Sequence, residues 1–138
     1  MTAIRRGGEG DLEAVAAIQQ ASPDAAHWAV ADYLDQEFLV AVEENCIVGF
    51  LVARTLAADE REILNLAVMR DFRRKGVARA LFATAISGFR GSVFLEVRES
   101  NEIARKFYKS LGFQQLNRRE EYYDNPSETA IVMKFHSC

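Results

Sequence analysis

Asn65-Leu66-Ala67-Val68-Met69-Arg70-Asp71-Phe72-Arg73-Arg74-Lys75-Gly76-Val77-Ala78-Arg79 is the stretch that decides the fold. It opens inside an apolar run, Glu62 to Val68, whose Ile, Leu and Val predict a β-strand. It closes in a helix predicted from Gly76 to about Phe89, where Val77, Ala80, Leu81, Ala85 and Gly88 share a face and Thr84 is the one polar side chain on it. Between the two lies a polar turn, and Arg70 to Arg79 holds five cations and one acid. A strand that ends in a basic, glycine-containing turn and opens a helix aims unpaired backbone N–H groups and a positive dipole end at one point, where a phosphate or pyrophosphate would bind. From composition alone the same run reads equally as solvated surface charge, with Gly76 relieving a tight loop. The G-x-x-x-x-G-K-[ST] and G-x-G-x-x-G phosphate motifs are both absent.

Upstream, Ala3 to Arg6 is a short extended opening, and Asp11 can cap a helix with Leu12, Val15, Ala16 and Ile18 at helical spacing. A second, shorter helix is expected around Trp28 to Leu34, and Pro23 and Pro126 are expected in loops. Phe38 to Val42 and Ile47 to Leu56 read as a β-hairpin about the polar turn Glu43, Glu44, Asn45. Downstream, Val93 to Val97 is a short strand. Ser100 can cap a helix striped by Ile103, Ala104, Phe107, Tyr108 and Leu111, which Gly112 ends. Two last strands, Gln114 to Tyr123 and Thr129 to Phe135, complete the pattern. Helices inserted between strands, with one hairpin, imply an α/β or α+β layer architecture around a mixed sheet.

The 138 residues, 49% of them hydrophobic, suit one domain that buries about 68–70% of its unfolded surface. A net charge of −3 argues against a dedicated nucleic-acid binder. No run of 18 apolar residues exists to span a bilayer. Arg5, Arg6 and two glycines stand where a secretory signal would carry its apolar stretch, so the cytoplasm is the expected location. Cys46 and Cys138, 92 positions apart, read as free thiols, and His27 and His136 form no paired-ligand motif, so no catalytic metal is expected.

Arg73-Arg74-Lys75-Gly76-Val77-Ala78 matches [QR]-x-x-G-x-[GA], and Asn101-x-x-Ala104-x-x-x-Tyr108-x-x-x-Gly112-Phe113 follows in order. On these two motifs the chain resembles the GNAT superfamily of N-acetyltransferases, from about Ile4 to Phe135. Asn65-Leu66-Ala67-Val68, Leu95-Glu96-Val97-Arg98, Tyr108-Lys109-Ser110-Leu111-Gly112-Phe113, Arg119-x-x-Tyr122-Tyr123 and Ala130-Ile131-Val132-Met133 are similar to the ribosomal-protein-alanine N-acetyltransferases, the RimI-like enzymes. Ala26-His27-Trp28 keeps only the tryptophan of their Phe-Pro-Trp-type segment, and Glu120 stands where a basic residue is commoner.

The resemblance implies a GNAT fold over residues 1–138 as a single domain: a central mixed, mostly antiparallel twisted sheet of six to seven strands, flanked by about four helices. It implies acetyl-CoA as cosubstrate and no metal. The pyrophosphate would lie on Arg73, Arg74, Lys75, Gly76, Val77, Ala78 and Arg79. The pantetheine arm would lie along the backbone of Leu66, Ala67 and Val68, and Asn101 would donate to the cofactor. Glu96 would accept the amine's proton and Tyr108 would protonate the sulfur, while Trp28, Arg119, Tyr122 and Tyr123 would bind the acceptor. Each residue also has a plainer reading. Glu96 faces away from Val93, Leu95 and Val97 and could be a surface carboxylate paired with Arg98. Tyr108 could be a core tyrosine, Asn101 a helix-start residue, and Tyr122 and Tyr123 one packed and one exposed. The implied acceptor is a protein N-terminus, or a small amine given the missing Phe-Pro; an acyl-CoA-binding module without catalysis is the third reading. No direct nucleic-acid or membrane partner is expected, and the chain is expected as a monomer or homodimer.

Overall fold

A computed structural model describes residues 2–22, 28–124 and 127–137, with the side chains of 121–124 and 127 left aside. The loop positions Pro23 and Pro126, the pair Ala26 and His27, and Cys138 lie outside the described residues. The strands are β1 Ala3–Arg6, β2 Glu37–Glu43, β3 Cys46–Ala57, β4 Glu60–Val68, β5 Gly91–Arg98, β6 Gln114–Asp124 and β7 Ser127–Ser137. The helices are α1 Leu12–Gln20, α2 Val77–Ile86 and α3 Glu102–Leu111. A six-residue 3-10 helix, Val30–Asp35, takes the place of the helix expected at Trp28 to Leu34, and with the three α-helices meets the expectation of about four. The sheet has seven strands in the order β1-β2-β3-β4-β5-β7-β6. Of the registers described, only β4 with β5 is parallel, and β1–β2, β2–β3, β5–β7 and β6–β7 are antiparallel.

The chain divides into two compact units, the first Met1–Thr55 with Ile63–Gly88 and the second Leu56–Glu62 with Phe89–Cys138. In the first, Val15, Ile18, Tyr33, Phe38, Val40, Phe50, Val52 and Ala67 form one buried cluster. Each large apolar side chain so removed from water is worth about 1.5–3 kcal/mol. The β2–β3 hairpin turns on Glu44 and Asn45 alone, both at positive φ, as a two-residue turn requires, so Glu43 belongs to the strand. Gly49 lies where a Cβ would come within 3.1 Å of the Ala67 carbonyl oxygen and 3.3 Å of Val77 Cγ1. Its missing side chain lets β3 lie close against the end of β4 and the start of α2.

Asp11 departs from the expected role. Its carboxylate makes no cap to α1 and instead accepts from Gly8 N at 2.8 Å and from both terminal nitrogens of Arg5 at 2.8 and 2.9 Å. Those hydrogen bonds, the one from Arg5 first, hold its carboxyl below the usual range. On α2 the buried face is Val77, Leu81 and Phe82. Thr84 is exposed and donates its hydroxyl to the Ala80 carbonyl, and Gly88 lies beyond the helix end.

In the second unit β5 alternates as expected, Val93, Leu95 and Val97 buried and Phe94, Glu96 and Arg98 on the other face. Tyr108 meets Phe113 edge-on and Phe113 packs at a tilt against Phe135, with ring centroids 5.5 and 5.4 Å apart. The stripe on α3 is narrower than its sequence suggests: Tyr108 is buried, while Ile103 is 77% exposed. At 100° per residue Ile103 stands about 140° round the helix from Tyr108, at the rim of the apolar arc.

Candidate active site

Between β4 and α2 the chain makes a 3-10 turn, Arg70–Phe72, and then passes through positive φ at Arg74 (63°) and Gly76 (83°). The first is costly for a residue with a side chain; the second suits glycine. Gly76 is the residue before α2, has no side chain with which to cap it, and has open space where a Cβ would stand. The first turn of α2 carries no acid, while Arg70, Arg73, Arg74 and Lys75 before it and Arg79 within it are exposed. Cations at a helix N-terminus oppose the dipole, at about 0.3–1 kcal/mol each, unless an anion lies between them. That arrangement, open and uncapped, fits a pyrophosphate.

Within this group Arg73 is committed to the protein. Its Nε donates to the Val68 carbonyl at 2.9 Å and a terminal nitrogen lies 3.4 Å from Ser22 Oγ, which ties the loop back to the end of β4. Lys75 Nζ stands 5.4 Å from the centroid of the Phe72 ring. On β4 itself, Leu66 N–H donates to Asn65 Oδ1 at 3.0 Å, and Ala67 and Val68 are buried. Trp28 stands 53% exposed, and its carbonyl accepts from Gln19 Nε2 at 2.8 Å.

In the second unit Glu96 does not pair with Arg98. Its Oε1 accepts from Arg119 on β6 at 2.6 Å, and Arg98 turns to Glu128 at 3.6 Å. The register allows the reach across β7: Glu96 lies opposite Val132 and Arg119 opposite Ala130, two positions apart on one face of β7, so the pair spans that strand on a diagonal. Tyr108 is 8% exposed, and burial pushes its phenol well above the ordinary value, so it keeps its proton at neutral pH. Asn101, and not Ser100, is the cap of α3: its Oδ1 accepts from Ala104 N at 3.1 Å. The amide nitrogen is the end that can still donate. Ser100 N is held by Glu128 Oε2 at 2.6 Å, a bond that lowers that carboxyl's pKa more than Arg98 does. Glu128 escaped sequence reasoning because its partner is 28 positions away. The backbone of Tyr122 and Tyr123 belongs to β6, where the pairing with β7 shifts register between Arg119 and Tyr123. So the second unit joins Glu96 to Arg119, and the first holds the loop and Trp28. Among the described residues no three His, Cys, Asp or Glu come together as a metal site, and no helix is long and apolar enough to cross a membrane.

Residues 12–113 match the model of the Acetyltransferase (GNAT) family. A [ribosomal protein bS18]-alanine N-acetyltransferase of Haemophilus ducreyi is 35% identical over 113 residues, 77% of this chain and 75% of its own. Ard1 from Thermoplasma volcanium superposes with a TM-score of 0.90 at 32% identity, over 99% of this chain and 98% of its own. The ribosomal-protein-S18-alanine N-acetyltransferase from Escherichia coli does so with a TM-score of 0.83 at 27% identity, over 99% and 94%. With its uncapped basic helix start and its N-acetyltransferase relatives, the chain belongs to the GNAT family and is an acetyl-CoA-dependent N-acetyltransferase.

Proposed function

We propose that the acceptor is the N-terminal α-amino group of a protein, of the ribosomal-protein-alanine type, in the cytoplasm, with residues 1–138 acting as one acetyltransferase domain. The observation that carries this reading is the Glu96–Arg119 pair at 2.6 Å. It joins a carboxylate able to take an ammonium proton to a guanidinium able to hold a peptide carbonyl. The 35% identity to an enzyme named for an alanine N-terminus supports it.

Bound acetyl-CoA supplies the activated acyl carbonyl. Arg74, Lys75 and Arg79, with the N–H groups at Gly76, Val77 and Ala78, neutralise the pyrophosphate, while Arg73 braces their loop. The backbone of Leu66, Ala67 and Val68 lines the pantetheine arm, and Asn101 donates from its amide nitrogen. Glu96 receives the proton of the incoming ammonium through water, which frees the nitrogen lone pair. Tyr108, kept neutral by burial, holds the proton that the departing sulfur needs. Trp28, Arg119, Tyr122 and Tyr123 receive the first acceptor residues.

The experiment is an acetylation panel in which alanine-starting peptides compete with polyamines, amino acids and aminoglycosides, followed by mass spectrometry of an acetylated cell extract. Peptides beginning with alanine should dominate. Turnover of free small amines alone would overturn the reading.

A further inference from the structure

Besides Ser22, which bonds back to the Ile18 carbonyl, the described residues of the first unit bury three polar side chains that meet one another: Gln19 (7% exposed) on α1, Tyr33 (2%) in the 3-10 helix, and Asn65 (5%) on β4. Their hydrogen bonds form one chain. Leu66 N–H donates to Asn65 Oδ1 at 3.0 Å, Asn65 Nδ2 donates to Gln19 Oε1 at 3.1 Å, and Gln19 Nε2 donates to the Trp28 carbonyl at 2.8 Å. The Tyr33 hydroxyl also donates to Gln19 Oε1, and its oxygen lies 3.2 Å from Asn65 Nδ2. The two ends fix every orientation. A backbone N–H can only donate and a carbonyl can only accept, so neither amide can flip without setting like against like. Apolar residues of similar volume could fill the space without needing partners. What the polar set adds is position, because buried hydrogen bonds in a low dielectric are geometrically demanding.

We propose that Gln19, Tyr33 and Asn65 are positioning residues that hold Trp28 in register with β4 and so set the affinity for the acetyl acceptor, leaving acetyl-CoA affinity and the chemical step alone. The proposal rests on the acceptor role given to Trp28 under Proposed function. Trp28 is half-exposed on a backbone held by a buried amide, which is how a rigid aromatic contact for an incoming chain is built.

The chain has one tryptophan, so its fluorescence reports Trp28 alone. Gln19→Met keeps the unbranched length and removes the donor to the Trp28 carbonyl. It should lower the steady-state anisotropy of Trp28 and raise the acceptor KM about tenfold, the equivalent of one lost hydrogen bond. kcat and the acetyl-CoA KM should stay within about twofold. Tyr33→Phe, which keeps the Gln19 donor, should raise the acceptor KM about threefold and serves if Gln19→Met does not fold. Val15→Ala, a cavity in the same helix that leaves the network untouched, separates positioning from general weakening: it should change stability and not the acceptor KM. Equal rises in both KM values, or an unchanged Trp28 anisotropy with an unchanged acceptor KM in the folded variants, overturns the proposal. If the wild type turns over only small amines, the acceptor reading fails, and the anisotropy still decides the network.

Discussion

Tyr108 shows how much one residue's surroundings decide. Its phenol is more stable neutral in the folded chain than in the unfolded one, so its pKa is raised on folding. The sign follows: the associated stability is fully present below the unfolded value, about 10, and is lost as the pH rises above it. Urea midpoints should therefore fall more steeply for the wild type than for Tyr108→Phe above about pH 10. At neutral pH the same variant should lower kcat about a hundredfold with little change in acetyl-CoA KM, measured by thiol release. Glu96→Gln should cost about as much in kcat, with the far-UV circular dichroism unchanged. The face that Glu96 occupies was legible from alternation along Val93 to Val97. Its partner was not: Arg98 is the near cation in sequence, but the strand order puts Arg119 diagonally across β7 from Glu96, and it is Arg119 that pairs with it.

At the scale of the element, the strand, the basic turn and helix α2 were legible because composition changes at each boundary. Less visible was that Arg73 would bond to the Val68 carbonyl and Ser22, the latter 51 positions before it and just past the end of α1. Gly76→Val should strain a backbone held at φ 83°, costing about 1–2 kcal/mol of stability. It should weaken acetyl-CoA binding by more than the roughly 5–30-fold to which that loss corresponds, because the side chain occupies the open space before α2; calorimetric titration beside urea melts compares the two. Equal losses would count against the pyrophosphate assignment. Asn101→Ala removes the cap of α3, for about 1 kcal/mol. By residue type Ser100 and Asn101 favour that place equally; what separates them is Glu128, which takes the Ser100 N–H while Asn101 caps the helix.

Over the whole molecule, sequence order and packing part company. The second unit takes Leu56–Glu62 from the middle of the chain, which no composition shift announces. The join is tight: Ser92 N donates to the Asp59 carbonyl at 2.9 Å, Glu60 to Glu62 pair with Ser92 to Phe94, and Arg61 lies 4.5 Å over the Phe89 ring. Gly91, at φ 146°, sits where a Cβ would fall 2.1 Å from the Asp59 oxygen. Gly91→Ala should therefore destabilise by about 2–3 kcal/mol or more, read as a lowered urea midpoint. A fragment starting at Phe89 should show no cooperative melt, since it lacks the strand on one side of β5.

β5 also carries a consequence for synthesis. Its partner β7 ends at Ser137, 39 residues after Arg98, so at about 5–20 residues per second β7 is completed roughly 2–8 s after β5, and until the two pair β5 keeps an open edge. Val93-Phe94-Leu95-Glu96-Val97 is then an exposed β-prone segment, and Glu96 is the one charge that interrupts it. The carboxylate proposed for proton transfer in the finished enzyme is thus also the charge that breaks up the unpaired strand, and Glu96→Gln should reduce soluble yield as well as turnover per folded molecule.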